Sequence, residues 1–253
     1  MSELYVGYLK TPRAHAALLR VVLPAMIIGS AIIGGVVAAQ MRDPGDAVWD
    51  TGASKQWTGR VYSDPYPMLI TDAGETFLLV EIGKFGAQPR VQGGGWLAVV
   101  EGFPLERDGR KAIELLEGSA AFTFIDETPL LDDEPRPAVP EIEYLRPVAV
   151  IGEIVDGKCF LGAMKPGDGK AHKACAVLCI RGGLPAMVRT KDETGAWVYP
   201  LLLVNGSAEM PNDVLDLVGE PVRIEGTLGR IGDLWVLDCE GDCVRPYPDL
   251  ASP

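Results

Sequence analysis

The sequence predicts a mainly β protein: one N-terminal transmembrane helix, then two small β-barrel modules, the second carrying a Cys/His-containing insertion. Three observations predict it. Residues 21–41 are an unbroken uncharged, mostly apolar run. Beyond them, short and often β-branched apolar stretches alternate with turns in a chain that has 30 Gly and 20 Pro in all, the pattern of an all-β chain. Finally, one arrangement of strands and glycines occurs twice.

The apolar run comes first. A helix needs about 20 apolar residues to cross a bilayer core, and residues 21–41 supply them. Lys10, Arg13 and Arg20 precede the run, whereas Arg42, Asp43, Asp46 and Asp50 follow it. Basic residues favour the cytoplasmic side, so residues 1–20 are expected inside and the remainder exported. For a bacterial cell this means a single-pass inner-membrane protein with its bulk in the periplasm. A cleaved signal peptide ending near Val37-Ala38-Ala39 is the rival reading. The run is longer than a signal peptide's apolar region, which favours a retained anchor. Pro24 near the inner end is a place for a kink, and Ser30 with Gly34 forms a small-residue stripe of a kind common in membrane helices.

The two modules are expected at 51–125 and 141–247. In the first, a strand opens at Trp57-Thr58-Gly59-Arg60-Val61. Later a run from Trp96 to Gly102 and a run from Ala112 to Gly118 flank a turn at Asp108-Gly109. In the second, a strand opens at Val150-Ile151-Gly152-Glu153-Ile154. Runs from Val222 to Gly226 and from Leu234 to Gly241 then flank a turn near Gly232-Asp233. Asp-Gly between apolar runs is a strong hairpin signal, and isolated glycines inside strands mark bends or close backbone approach. Residues 210–219 read as a short helix with a glycine stop. Residues 126–140, rich in Asp, Glu and Pro, read as an exposed linker. This arrangement resembles the small closed barrel of the oligonucleotide/oligosaccharide-binding (OB) type. The resemblance is architectural and implies no activity.

The informative departure is one of length. Gly152 and Gly226 lie much farther apart than their counterparts Gly59 and Gly102. The surplus is assigned to residues 157–194, which hold Cys159, His172, Cys175 and Cys179 in the pattern Cys-x12-His-x2-Cys-x3-Cys. The first module has no Cys or His. A short helix over 171–180, stopped by Gly182-Gly183, puts His172, Cys175 and Cys179 at i, i+3 and i+7 on one face. Cys159 sits in a Gly-containing approach that can fold back over that face. Three thiols and one imidazole make a known structural zinc set, so zinc is the expected ion, with copper or an iron–sulfur cluster as alternatives. Cys175, Cys179 and His172 resemble the ligand set of copper chaperones of respiratory oxidase assembly, in composition only. Met164 is a further soft donor, although a lone Met is more often packing. Lys158, Lys165, Lys170, Lys173 and Arg181 surround these cysteines in sequence and would favour thiolates.

Cys239 and Cys243, separated by Glu240-Gly241-Asp242, are expected to pair as a disulfide in an exported chain. The competing arithmetic joins Cys159 to Cys175 or Cys179, or joins the last two.

The net charge of −12 and pI near 4.7 argue against a nucleic-acid binder, which carries a basic face. No paired-carboxylate or phosphate-loop pattern stands out. The sequence leaves catalysis undecided and favours an accessory or electron-transfer subunit over a stand-alone enzyme. The reading is a membrane-anchored periplasmic accessory subunit whose Cys/His centre serves a membrane redox complex or metal-handling assembly, with a protein partner there. Two alternatives stay open: a tethered structural protein with disulfides, and a periplasmic thiol oxidoreductase using Cys175 and Cys179.

Overall fold

The computed structural model describes residues 7, 11–40, 46–91, 94–125 and 140–247. It divides into two units, one ending at Asp43 and the other beginning at Pro44. The first unit holds helix α1 (Arg13–Gln40), of which 25 residues from His15 to Ala39 are long and apolar enough to cross a membrane. At 1.5 Å per residue that stretch is about 37 Å, longer than a hydrocarbon core of about 30 Å. The helix starts at Arg13, ahead of the expected start of the span at residue 21. Its backbone ladder continues through the polar first turns, and Pro24 lies inside it.

The second unit is built from two closed barrels. In the first, strands β1 (Val48–Trp49), β2 (Lys55–Tyr62), β3 (Met68–Ile70), β4 (Thr76–Val80), β5 (Gly94–Arg107), β6 (Arg110–Leu115) and β7 (Phe122–Phe124) form one sheet. It closes through β2–β3–β4–β6–β5 and back to β2, with β4 and β6 parallel. The second barrel uses β8 (Glu143–Asp156), β9 (Ala186–Lys191), β10 (Trp197–Val198), β11 (Leu201–Val204), β12 (Pro221–Ile231), β13 (Leu234–Cys239) and β14 (Val244–Pro246). It closes through β8–β9–β11–β13–β12 and back to β8, with β11 and β13 parallel. The two barrels therefore share one strand connectivity, as the duplicated pattern predicts. Asp108-Gly109 and Gly232-Asp233 turn the equivalent hairpins, with positive φ at Asp108, Gly109 and Gly232. The expected linker at 126–140 falls outside the described residues apart from Pro140.

The matched glycines have one physical cause. A Cβ on Gly59 would meet the Ile70 carbonyl at 2.4 Å, and one on Gly152 would meet the Arg189 carbonyl at 2.4 Å. Gly102 and Gly226 meet the carbonyls of Glu114 and Asp238 just as closely. Each sits where a strongly bent strand crosses its neighbour. Gly152→Ala should therefore cost about 1–3 kcal/mol through overpacking, read as a lower urea midpoint. An unchanged midpoint would show that the neighbouring strand moves freely aside.

The side-chain alternation explains how the barrels pack. Phe77 and Leu79 of β4 point into the first barrel, whereas Leu78 and Val80 join an outer cluster with Leu201, Leu203 and Val236 of the second. Leu202 and Val204 of β11 point into the second barrel. Central strands β4 and β11 are thus buried on both faces, and the barrels share a continuous apolar interface. Polar contacts repeat with the same symmetry. Asp233, at the second barrel's hairpin tip, accepts from the Thr76 amide at 2.7 Å. Asp108, at the first barrel's tip, accepts from the Tyr199 hydroxyl at 2.6 Å.

The insertion breaks this symmetry. The first two barrel strands are joined by residues 63–67 in the first barrel and by 157–185 in the second. It ends at 185 and not 194, because residues 186–191 form β9. It contains a π-helical turn (Cys159–Ala163) and helix α2 (Lys173–Arg181). The helix expected over 210–219 is shorter, α3 (Asn212–Leu215), starting behind Pro211.

Candidate metal centre

Strand β8 ends at Asp156, and the chain turns at once into the π-helical turn headed by Cys159. The turn is fixed by Asp156 itself, whose Oδ1 accepts from the Cys159 backbone amide at 2.8 Å. Past a bend at 164–171 the chain enters α2. His172 stands at its N-cap, because the helix starts at Lys173, two residues later than expected. Cys175 and Cys179 follow one turn apart, and Gly182 and Gly183 end the helix, the latter with φ of 95°.

These elements place the sequence-predicted donors in two overlapping groups. Cys159, His172 and Cys175 each offer one ligand atom, all within 4.8 Å of one another. Cys159 and Cys179 converge in the same way with Asp156. The sulfurs of Cys175 and Cys179 are 4.0 Å apart. Cys159, Cys175 and Cys179 are free thiols. This Cys/His group can hold a metal ion. The elsewhere-predicted pair, Cys239 and Cys243, lies at disulfide distance with Cα atoms 5.8 Å apart. Met164 is exposed.

Two residues at the centre escape sequence reasoning. The first is Asp156, fully buried. Its Oδ2 lies 2.9 Å from His172 Nε2. A carboxylate only accepts, so Nε2 donates and the lone pair is left on Nδ1. A carboxylate behind the imidazole is the usual outer support of a metal-binding histidine. The second is Lys84, which comes from the loop after β4 in the first barrel. Its ammonium donates to Cys175 Sγ at 2.7 Å and reaches Cys179 Sγ at 3.5 Å. The cysteine-free barrel therefore contributes to the site, contrary to a reading that confines it to the insertion.

The lysines that crowd the cysteines in sequence do other work. Lys158 turns away into the barrel interface, pairing with Glu114 and donating to the carbonyls of Glu81 and Gly83. Lys170 and Lys173 pair with Glu220. Among the described residues, the cation that touches sulfur is Lys84.

The electrostatics separate the thiols. A hydrogen bond given to Cys179, then burial and nearby Asp156, raise the Cys159 thiol far above its ordinary range. The same bond, received by Cys179 and helped by Lys84, brings that thiol down to about 7 against the opposing effects of burial and Asp156. Bonding to Cys175 raises Lys84 in turn and keeps it an ammonium. The arrangement thus favours the thiolate form of Cys179, with the Lys84 ammonium 3.5 Å from its sulfur.

Set against protein-family models, curated proteins and solved structures, the chain has no match. What the fold and side chains define is a class: a two-barrel protein with an apolar N-terminal helix and a Cys/His group able to hold a metal ion.

Proposed function

We propose that this chain is a membrane-anchored, exported accessory protein whose Cys159–His172–Cys175–Cys179 centre holds one metal ion for a membrane-associated assembly. One observation carries the reading: the free thiols of Cys159 and Cys175 converge with a carboxylate-braced imidazole, and the free thiol of Cys179 lies 4.0 Å from that of Cys175. Zinc fits best. Two thiolates on a tetrahedral zinc, each about 2.3 Å from it, lie about 3.8 Å apart, and Cys175 and Cys179 are 4.0 Å apart. An iron–sulfur cluster usually takes four thiolates, and only three free ones are present among the described residues. Copper(I) would accept a subset of the same donors.

Basic residues before the apolar run at 21–41 and acidic ones after it support a cytoplasmic N-terminus and exported barrels. The common strand order supports an OB-like identity for both. The barrels would supply surface for a protein partner near the membrane, where tethering raises effective concentration. A thiol oxidoreductase is the second reading, supported by the lowered Cys179 thiol. It ranks below because Cys179 is 1% exposed, which bars an approaching protein disulfide.

The experiment is metal analysis of the full chain purified in detergent without chelator. One zinc per chain is expected, falling below about a tenth in His172→Ala, since removing one of four ligands costs several orders in affinity. A wild-type protein that stays metal-free after zinc is offered under reducing conditions overturns the reading.

A further inference from the structure

The four donors are not equally enclosed. Cys159, His172 and Cys179 are 7%, 4% and 1% exposed, whereas Cys175 is half-buried. Lys84, which bonds Cys175, is itself exposed. The neighbours on that side, Phe85 and Leu178, are 64% and 54% exposed. A structural zinc site is closed on all sides, and one that exchanges ligands keeps an open position.

Resting on the metal reading, we propose that the ion is exchangeable cargo and that Cys175 is the ligand through which it enters and leaves. A donor from outside, a thiolate or an imidazole of a partner, approaches at the open edge and bonds to the zinc ion. The Cys175 Sγ–zinc bond breaks, and the thiolate keeps the electron pair. Lys84 is placed to receive that thiolate, since its ammonium lies 2.7 Å from the sulfur. No electron is transferred and no proton is required. Cys159 and His172, which converge with Cys175, keep hold of the ion until the exchange is complete. Lys84 is a positioning residue here, acting through Cys175 and not on the ion. The first barrel thereby takes part in release although it supplies no ligand.

The test uses the zinc-loaded full chain in detergent and a chromophoric zinc chelator in excess, with release followed by absorbance. The rate should rise in proportion to chelator concentration. In Lys84→Met it should fall at least about tenfold, the scale of outer-shell effects, and in Lys84→Arg it should return towards wild type. Lys84 is exposed, so both variants should keep the wild-type circular dichroism. Release at one slow rate whatever the chelator concentration would mean a closed site that empties only by unfolding, and would overturn the proposal. Lys84→Met releasing zinc as fast as wild type would overturn it too. A chain that takes up no zinc at all brings down the metal reading itself, a result distinct from either kinetic one.

Discussion

Asp156→Asn should lower zinc affinity by about 100-fold, the upper end of what an outer-shell partner of a metal-bound histidine is worth, while leaving the barrels folded. The reasoning is one of proton placement. Asp156 now takes a hydrogen from His172 Nε2 and gives none back. The amide of Asn is nearly the same shape, and its oxygen can still accept from the Cys159 amide, as Oδ1 does now. Its NH2 group would then face His172 and demand the Nε2 lone pair. The ring proton moves to Nδ1, and the nitrogen meant for the ion is blocked. Asp156→Ala differs. It leaves the Cys159 N–H and the imidazole N–H unpaired in a fully buried place, at about 1–3 kcal/mol for each. It should lose both zinc and stability. Competitive zinc titration with urea unfolding separates the two variants. Wild-type affinity in Asp156→Asn would show that His172 does not bind through the nitrogen opposite Asp156.

Why Asp156 and Lys84 were invisible in the sequence is a matter of abundance and separation. The chain has 5 Cys and 2 His, so a cluster of four such residues stands out. It has 35 Asp and Glu, and nothing local marks the one that ends β8 behind a histidine. Lys84 is 91 positions from Cys175, and only the packing of the two barrels makes them neighbours. The barrels were legible because their glycines answer a backbone demand that does not depend on distant context, and because Asp-Gly fixes a turn locally. The lysines misled for the opposite reason. Lys158 adjoins Cys159 in sequence, yet the π-helical turn sends consecutive side chains in different directions, one to the ligand cluster and one to Glu114. Helix α1 begins ahead of the apolar run because apolarity defines a membrane span, while helical hydrogen bonding continues through Arg13 and Arg20.

Glu114→Ala should be the most destabilising single change in the second unit, at about 3–5 kcal/mol, the cost of leaving one partner of a buried ion pair unopposed. Typical domains hold about 5–15 kcal/mol in total, so this is a large share. The Lys158 and Glu114 side chains are 5% and 7% exposed. Lys158 also donates to the carbonyls of Glu81 at 2.7 Å and Gly83 at 3.0 Å. Those carbonyls belong to the loop that carries Lys84. With Glu114 gone, the ammonium must stay buried beside two neutral acceptors or pull out to water and open the interface. The second course frees the Lys84 loop from α2, so zinc release to a chelator should change together with stability. Lys158→Met with Glu114→Leu removes both charges and fills the space. That pair should recover most of the loss, because an apolar pair of similar volume is often as stable as the ions it replaces. A double-mutant cycle by urea unfolding gives the coupling. A coupling near zero would mean that the Leu78–Leu201 apolar cluster and the Asp233 and Asp108 contacts hold the two barrels, and that the pair only tolerates burial. A large coupling with unchanged zinc kinetics would separate barrel docking from the site. A large coupling with altered kinetics would tie the interface, the Lys84 loop and the thiol cluster into one mechanical unit.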